Sequence, residues 1–186
     1  MSNLFSNNYA CCCFYILEQY LSGKGIPNLS KIISPDKYPL FVTWKSNPQK
    51  ILRGCIGSFQ AESLIEQLPK YALISSLKDE RFPPVNKDEL SLLECSVSLL
   101  VNFEDVESIE DWEIGVHGIT INFKNEGKKY SGTFLPSVAV EQHWSKKDTL
   151  IQLIKKSGFN GDYKLIWDKI QLTKYQAKVY TASYSE

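Results

Sequence analysis

The chain has 186 residues, of which 43% are hydrophobic and 23% charged, a composition that excludes disorder. A chain of this length buries roughly 70% of its unfolded surface and needs neither disulfide nor metal to fold. Twenty-one basic side chains balance twenty-one acidic ones. That argues against a nucleic-acid binder, whose affinity rests on an excess of cations.

In chain order, residues 7–21 read as a helix, with Tyr9, Cys12, Cys13, Ile16, Leu17 and Tyr20 at helical spacing. Ser22-Gly23-Lys24-Gly25 stops it, and Pro27, Pro35 and Pro39 mark an irregular connection. Leu40-Phe41-Val42-Thr43-Trp44 predicts a strand, Ser46-Asn47-Pro48-Gln49 a turn, and Ile51 to Phe59 the returning strand of a hairpin. A short helix is expected over 62–68, with Pro69 opening a second one that ends near Leu77. The prolines of Asp79-Glu80-Arg81-Phe82-Pro83-Pro84 fix a non-helical loop. Leu93, Cys95, Val97, Leu99 and Val101 alternate with Glu94, Ser96, Ser98 and Leu100, the pattern of a strand with one buried face. Further strands are expected near 113–123 and 128–135, joined at Asn125-Glu126-Gly127. Helices follow at 137–143 and 148–157, a loop between Gly158 and Gly161, a strand at 164–175 and a short one near 177–180. Hairpins with grouped helices predict an α+β fold with mostly antiparallel sheet.

Charge is unevenly spread. From Asp79 to Glu113 eleven acids stand against two bases, and from Trp144 to Lys178 eight lysines against three acids. These are either two solvated faces or an acidic surface that draws a basic partner. No run reaches about 18 apolar residues, so no membrane span is expected. Met1-Ser2-Asn3-Leu4-Phe5-Ser6 lacks the charged and apolar regions of a secretory signal, which predicts a cytoplasmic chain small enough to enter the nucleus as well. Five cysteines, Cys11, Cys12, Cys13, Cys55 and Cys95, form no CxxC pair. Three in a row on a helix point about 100° apart, so no metal site is expected. Neither GxGxxG nor GxxxxGK[ST] occurs and Gly23-Lys24-Gly25 is too short to hold a phosphate, so no cofactor is expected. The four tryptophans and nine phenylalanines come with no basic stripe and read as core.

The informative segment is Leu52-Arg53-Gly54-Cys55-Ile56-Gly57. Alternation puts Arg53 and Cys55 on one strand face, Leu52 and Ile56 on the other. Glycine inside a strand gives nothing to pack, so Gly54 and Gly57 suggest a bulge or a close approach of backbone or ligand. Arg53 beside Cys55 would favour the thiolate. The plain alternative is a packed hairpin with an ordinary buried cysteine.

This hexapeptide resembles the hallmark of the AMMECR family. So do Tyr38-Pro39-Leu40-Phe41-Val42-Thr43-Trp44, Asp79-Glu80-Arg81-Phe82-Pro83-Pro84, Gly115-Val116-His117-Gly118 and Leu135-Pro136-Ser137-Val138-Ala139-Val140-Glu141-Gln142-His143-Trp144. The resemblance spans about Tyr9 to Tyr184. It implies two lobes, each with an antiparallel sheet flanked by helices, and a hexapeptide that faces a cleft between them. The large lobe would comprise about 1–103 plus 161–186, the small inserted lobe about 104–160. It implies no established activity.

Candidate site residues are therefore Arg53, Gly54, Cys55, Gly57, Asp79, Arg81, Glu94, His117, Pro136 and Gln142. Arg81 would be a fixed donor for a carboxylate or peptide carbonyl, or half of a loop clamp with Asp79 over a core Phe82. His117 would be a base toward Cys55, or a turn stabiliser. Glu94 would line the cleft, or be structural; Pro136 and Gln142 rest on the resemblance alone. His143 reads as a capping or surface residue. Two readings of function follow: a regulatory module that binds a protein or peptide, or an enzyme with Cys55 as nucleophile or redox thiol.

Overall fold

The computed structural model describes residues 8–184, so the reading of Met1 to Ser6 lies outside it, as does the first residue of the expected opening helix. The elements are α1 (Tyr9–Leu21), β1 (Lys37–Ser46), β2 (Ile51–Ser63), α2 (Leu64–Leu77), β3 (Leu93–Val106), β4 (Gly118–Asn125), β5 (Lys128–Phe134), α3 (Pro136–Glu141), α4 (Lys146–Lys156) and β6 (Gln171–Ser183). The six strands are hydrogen-bonded in the order β2-β1-β3-β6-β4-β5. With helices grouped rather than alternating with strands, this is an α+β fold. Among the described residues, no helix is long and apolar enough to cross a membrane.

Contacts divide the chain into two compact units, Met1–Leu99 with Lys178–Glu186, and Leu100–Ala177. Ile166, Ile170 and Leu172 are buried with Ile119 and Ile121 in the second unit's core.

In the first unit one sheet face is covered. Leu40, Val42 and Trp44 of β1 and Cys95, Val97 and Leu99 of β3 are buried together with Phe14, Ile16 and Leu17 of α1 and Leu64, Leu68 and Ala72 of α2. The Phe14 and Trp44 rings meet edge to face at 5.0 Å. Trp44 Nε1 donates to Ser75 Oγ at 2.9 Å, which ties α2 to the sheet.

Three expectations change here. In place of the two helices expected over 62–77 and split at Pro69, β2 runs to Ser63 and α2 is continuous, with Pro69 inside it. Proline removes one helical hydrogen bond. Leu64, Leu68, Tyr71, Ala72 and Ser75 nevertheless bury one stripe on both sides of it, and that packing outweighs the lost bond. Pro39 lies inside β1 rather than in a loop, at the register shift between Tyr38 and Leu40, where a bulge spares the missing N–H. A 3-10 turn at Lys87–Leu92, with Asn86 and Glu89 as its capping box, adds an element to those expected.

In the second unit Ile119, Ile121 and Phe123 of β4 are buried with Leu150, Leu153 and Ile154 of α4, at i, i+3 and i+4. Ser145 and Asp148 cap α4 reciprocally. Glu126 and Gly127 both have positive φ, 49° and 78°, as a two-residue hairpin turn of this hand requires. The expected strand near 113 begins at Gly118 instead, because Val116 and His117 N–H both bond Glu113 O and curl the chain. The expected strand over 164–175 is replaced up to Lys169 by two 3-10 turns, the first capped by Asp162, and β6 continues unbroken from Gln171 to Ser183.

Candidate functional site

Gly54 shows why the hexapeptide needs a glycine. Register pairs it with Trp44, on the covered face, and a Cβ there would stand 1.9 Å from the Ser75 carbonyl oxygen of α2. Gly57 is similarly tight, 2.1 Å from Leu40 O. Both answer to backbone approach. There is also a bulge. Trp44 pairs Gly54 and Lys45 pairs Leu52, so Arg53 is the extra residue. This corrects the simple alternation, because the register puts Leu52 on the Thr43 and Cys55 face instead of the Ile56 face.

Arg53 does not serve Cys55. Its Nε and Nη2 donate to the Glu89 carboxylate at 2.9 and 3.1 Å, a bidentate pair, and Nη1 donates to Pro83 O at 2.5 Å. Arg53 therefore fastens β2 to the proline loop. Glu89 was missed, and the Asn86-x-x-Glu89 capping pattern was the available signal. It now spends one carboxylate on the cap and on Arg53.

The loop clamps Cys55 from the other side. β2 is a sheet edge, and both backbone groups of Cys55 are taken by side chains. Cys55 N–H donates to Asp79 Oδ2 at 2.9 Å, while Arg81 Nη2 donates to Cys55 O at 3.2 Å. Arg81 also grips Asp79 through Nε at 2.9 Å and Nη2 at 2.7 Å. The Asp79 side chain is 4% exposed and that of Arg81 56%. Hydrogen bonds from Arg81 hold the Asp79 carboxyl well below the usual carboxylate range, against the opposing pull of burial, and the Cys55 N–H adds to the lowering. Phe82 is half-buried, not a core residue, and packs under the Arg81 guanidinium at 5.3 Å.

Burial pushes the Cys55 thiol up; a hydrogen bond from Thr43 Oγ1 at 3.2 Å and the charge of Arg81 only partly oppose this. The expected thiolate-favouring effect of Arg53 is thus corrected: its charge is engaged by Glu89. Cys55 in native protein at pH 7 should accordingly alkylate with iodoacetamide more slowly than a free thiol, and at the free rate in denaturant, as read by peptide mass spectrometry. A native Cys55 that labels faster at pH 7 than free thiol would restore the nucleophile reading.

The other candidates separate. Register puts Glu94, Ser96 and Ser98 of β3 on the same face as Thr43 and Cys55, and Glu94 pairs with Lys50. His117, Pro136 and Gln142 belong to the second unit. There His117 Nδ1 accepts the Glu113 N–H at 3.1 Å and closes a turn. Pro136 opens α3 and Gln142 ends it. His143 is exposed and takes positive φ, 55°, just past that helix.

The sequence profile of the AMMECR1 family matches residues 10–180. The chain belongs to the AMMECR1 family. It is 43% identical over 181 residues to an uncharacterized protein of Schizosaccharomyces pombe, covering 96% of this chain and 93% of that one. It is 39% identical over 183 residues to an uncharacterized protein of Arabidopsis thaliana, covering 95% and 85%. The crystal structure of an uncharacterized Pyrococcus horikoshii protein has the same fold, with a TM-score of 0.78 at 29% identity, over 93% of this chain and 89% of that one. The hexapeptide of this AMMECR1-family chain is thus both a packing joint and a clamped edge.

Proposed function

We propose that this AMMECR1-family chain is a regulatory module of cytoplasm and nucleus that binds a carboxylate-bearing protein or peptide segment beside Cys55. The observation that carries this reading is the state of Arg81. Asp79 and the Cys55 carbonyl fix its Nε and Nη2, the side chain is 56% exposed, and Nη1 has no recorded acceptor among the described residues. A pre-set guanidinium loses little freedom when it meets a carboxylate. The same sheet face as Cys55 presents the Ser98 hydroxyl, the half-buried Phe41 and the exposed Phe59, while Thr43 Oγ1 is bonded to Cys55 Sγ and Ser96 Oγ to Thr181 Oγ1. Peptide recognition uses such a mix of fixed polar groups and aromatic surface. A thiol pushed up by burial does not favour the nucleophile alternative. His117, Pro136 and Gln142 play no part in the proposal.

The test places a photoreactive residue at Ser98 and compares the chain with and without Arg81→Gln. Crosslinked partners should fall about tenfold with Arg81→Gln, the order of one charge-assisted contact. They should persist with Lys128→Gln, a matched charge loss on the second unit. Equal capture by all three would remove the Cys55 face as the binding surface.

A further inference from the structure

We infer that the second unit carries a separate site for a small polyphosphate-bearing ligand, in the concavity lined by Lys124, Lys129, Lys169, Asn122, Ser131 and Gln171. The concavity measures about 480 Å³. Register explains how it forms. Ile119, Ile121 and Phe123 of β4 point into the core, so Asn122 and Lys124 point out. Asn122 pairs with Ser131 of β5 and Gln171 of β6, and Lys124 pairs with Lys129. Lys169, two residues before Gln171, completes the rim.

The Lys124–Lys129 pair is the telling feature. The turn at Glu126-Gly127 makes Asn125 and Lys128 its flanking pair, so Lys124 and Lys129 form the next pair, where opposed side chains come closest. Like charges directly opposite one another destabilise a sheet. Here a third ammonium joins them, and no carboxylate lines the concavity. Asp168, the acid nearest in sequence to Lys169, lines a different recess with Glu107. Several other lysines of this unit are engaged, Lys174 with Glu104 and Asp111, Lys146 with Glu110 O, Lys156 with Thr133 O and Lys128 over Tyr130, while Lys147, Lys155 and Lys164 stand apart from the concavity. Lys124, Lys129 and Lys169 have no recorded ion pair among the described residues. A local rule broken without internal compensation is where a ligand is expected.

Three ammonium groups, two amides and a hydroxyl form a donor-rich wall for an anion that carries several charges. The bounded volume and zero net charge favour a small molecule over a polynucleotide, which needs a basic stripe. Tyr130 also stacks on Phe123 at 5.0 Å and is not a free platform for a base. This inference is independent of the Cys55 reading, since it uses other residues and another ligand.

The experiment titrates the whole chain calorimetrically with inorganic tripolyphosphate at low ionic strength. Saturable one-to-one binding is expected. Lys124→Ala/Lys129→Ala/Lys169→Ala should weaken it at least about thirtyfold. Lys78→Ala/Lys87→Ala/Lys147→Ala, with the same charge loss on other exposed lysines, should change it less than about threefold. Without ligand, Lys129→Gln should raise the thermal midpoint by removing the like-charge pair, which also shows that a variant in this cluster folds. Absence of saturation up to about 10 mM, the range of negligible affinity, would overturn the site. So would equal weakening in both triple variants, a lowered midpoint for Lys129→Gln, or binding of oligothymidylate that grows with length while tripolyphosphate does not bind.

Discussion

Replacing Gly54 by alanine should cost about 4 kcal/mol or more, a large part of the 5–15 kcal/mol that holds a typical domain together. The new methyl would sit 1.9 Å from the Ser75 carbonyl oxygen and 3.0 Å from its carbon. Neither atom is the free end of a side chain, so relief requires α2 to move off the sheet. That movement would stretch the bond from Trp44 Nε1 to Ser75 Oγ and open space under a tryptophan that is fully buried. The loss is thus a clash followed by a cavity. Urea denaturation followed by tryptophan fluorescence measures it. Ser58→Ala, farther along β2 on the Val42 and Ile56 face, should cost under about 1 kcal/mol. A Gly54→Ala loss as small as that of Ser58→Ala would mean that the glycine is not held by α2.

Asp79→Asn should cost about 3 kcal/mol at pH 7, and the cost should shrink in acid. The carboxylate accepts from Cys55 N–H, Arg81 N–H, Arg81 Nε and Arg81 Nη2. An amide keeps one oxygen and turns an NH2 toward donors that need an acceptor, inside a side chain that is 4% exposed. The pH dependence follows from the sign of the shift. Arg81 and the Cys55 N–H hold the folded carboxyl below its ordinary value of 3.8. Below that value the unfolded chain takes up the proton first, so acid favours unfolding. The stabilisation is complete above about pH 5 and is lost progressively as pH falls through 3.8 toward the lowered folded value. The stabilities of wild type and Asp79→Asn should therefore converge below about pH 4, by denaturation at a series of pH values. A constant gap down to pH 3 would show that Asp79 does not act as a charged clamp.

These two residues mark the boundary between what is local and what is not. Periodicity alone located α1, the β1–β2 hairpin, β3 and the β4–β5 hairpin, because each has an apolar pattern or turn chemistry confined to a few neighbours. It failed at Pro69, where buried side chains on both sides kept α2 whole against a local breaker, and at 164–169, where Asp162 and the burial of Ile166 favoured turns over a strand. The bulge at Arg53 escaped notice because it is a property of two strands together. So the hexapeptide, its glycines and the prolines of the neighbouring loop were legible as features of one stretch of chain, and their order identified the family. Which partner each side chain chose was decided only in three dimensions. Arg53 met Glu89 rather than Cys55, and Asp79 met the Cys55 amide, across separations of 36 and 24 residues. Charge pairing and desolvation depend on distances between remote segments, and no local pattern encodes those distances.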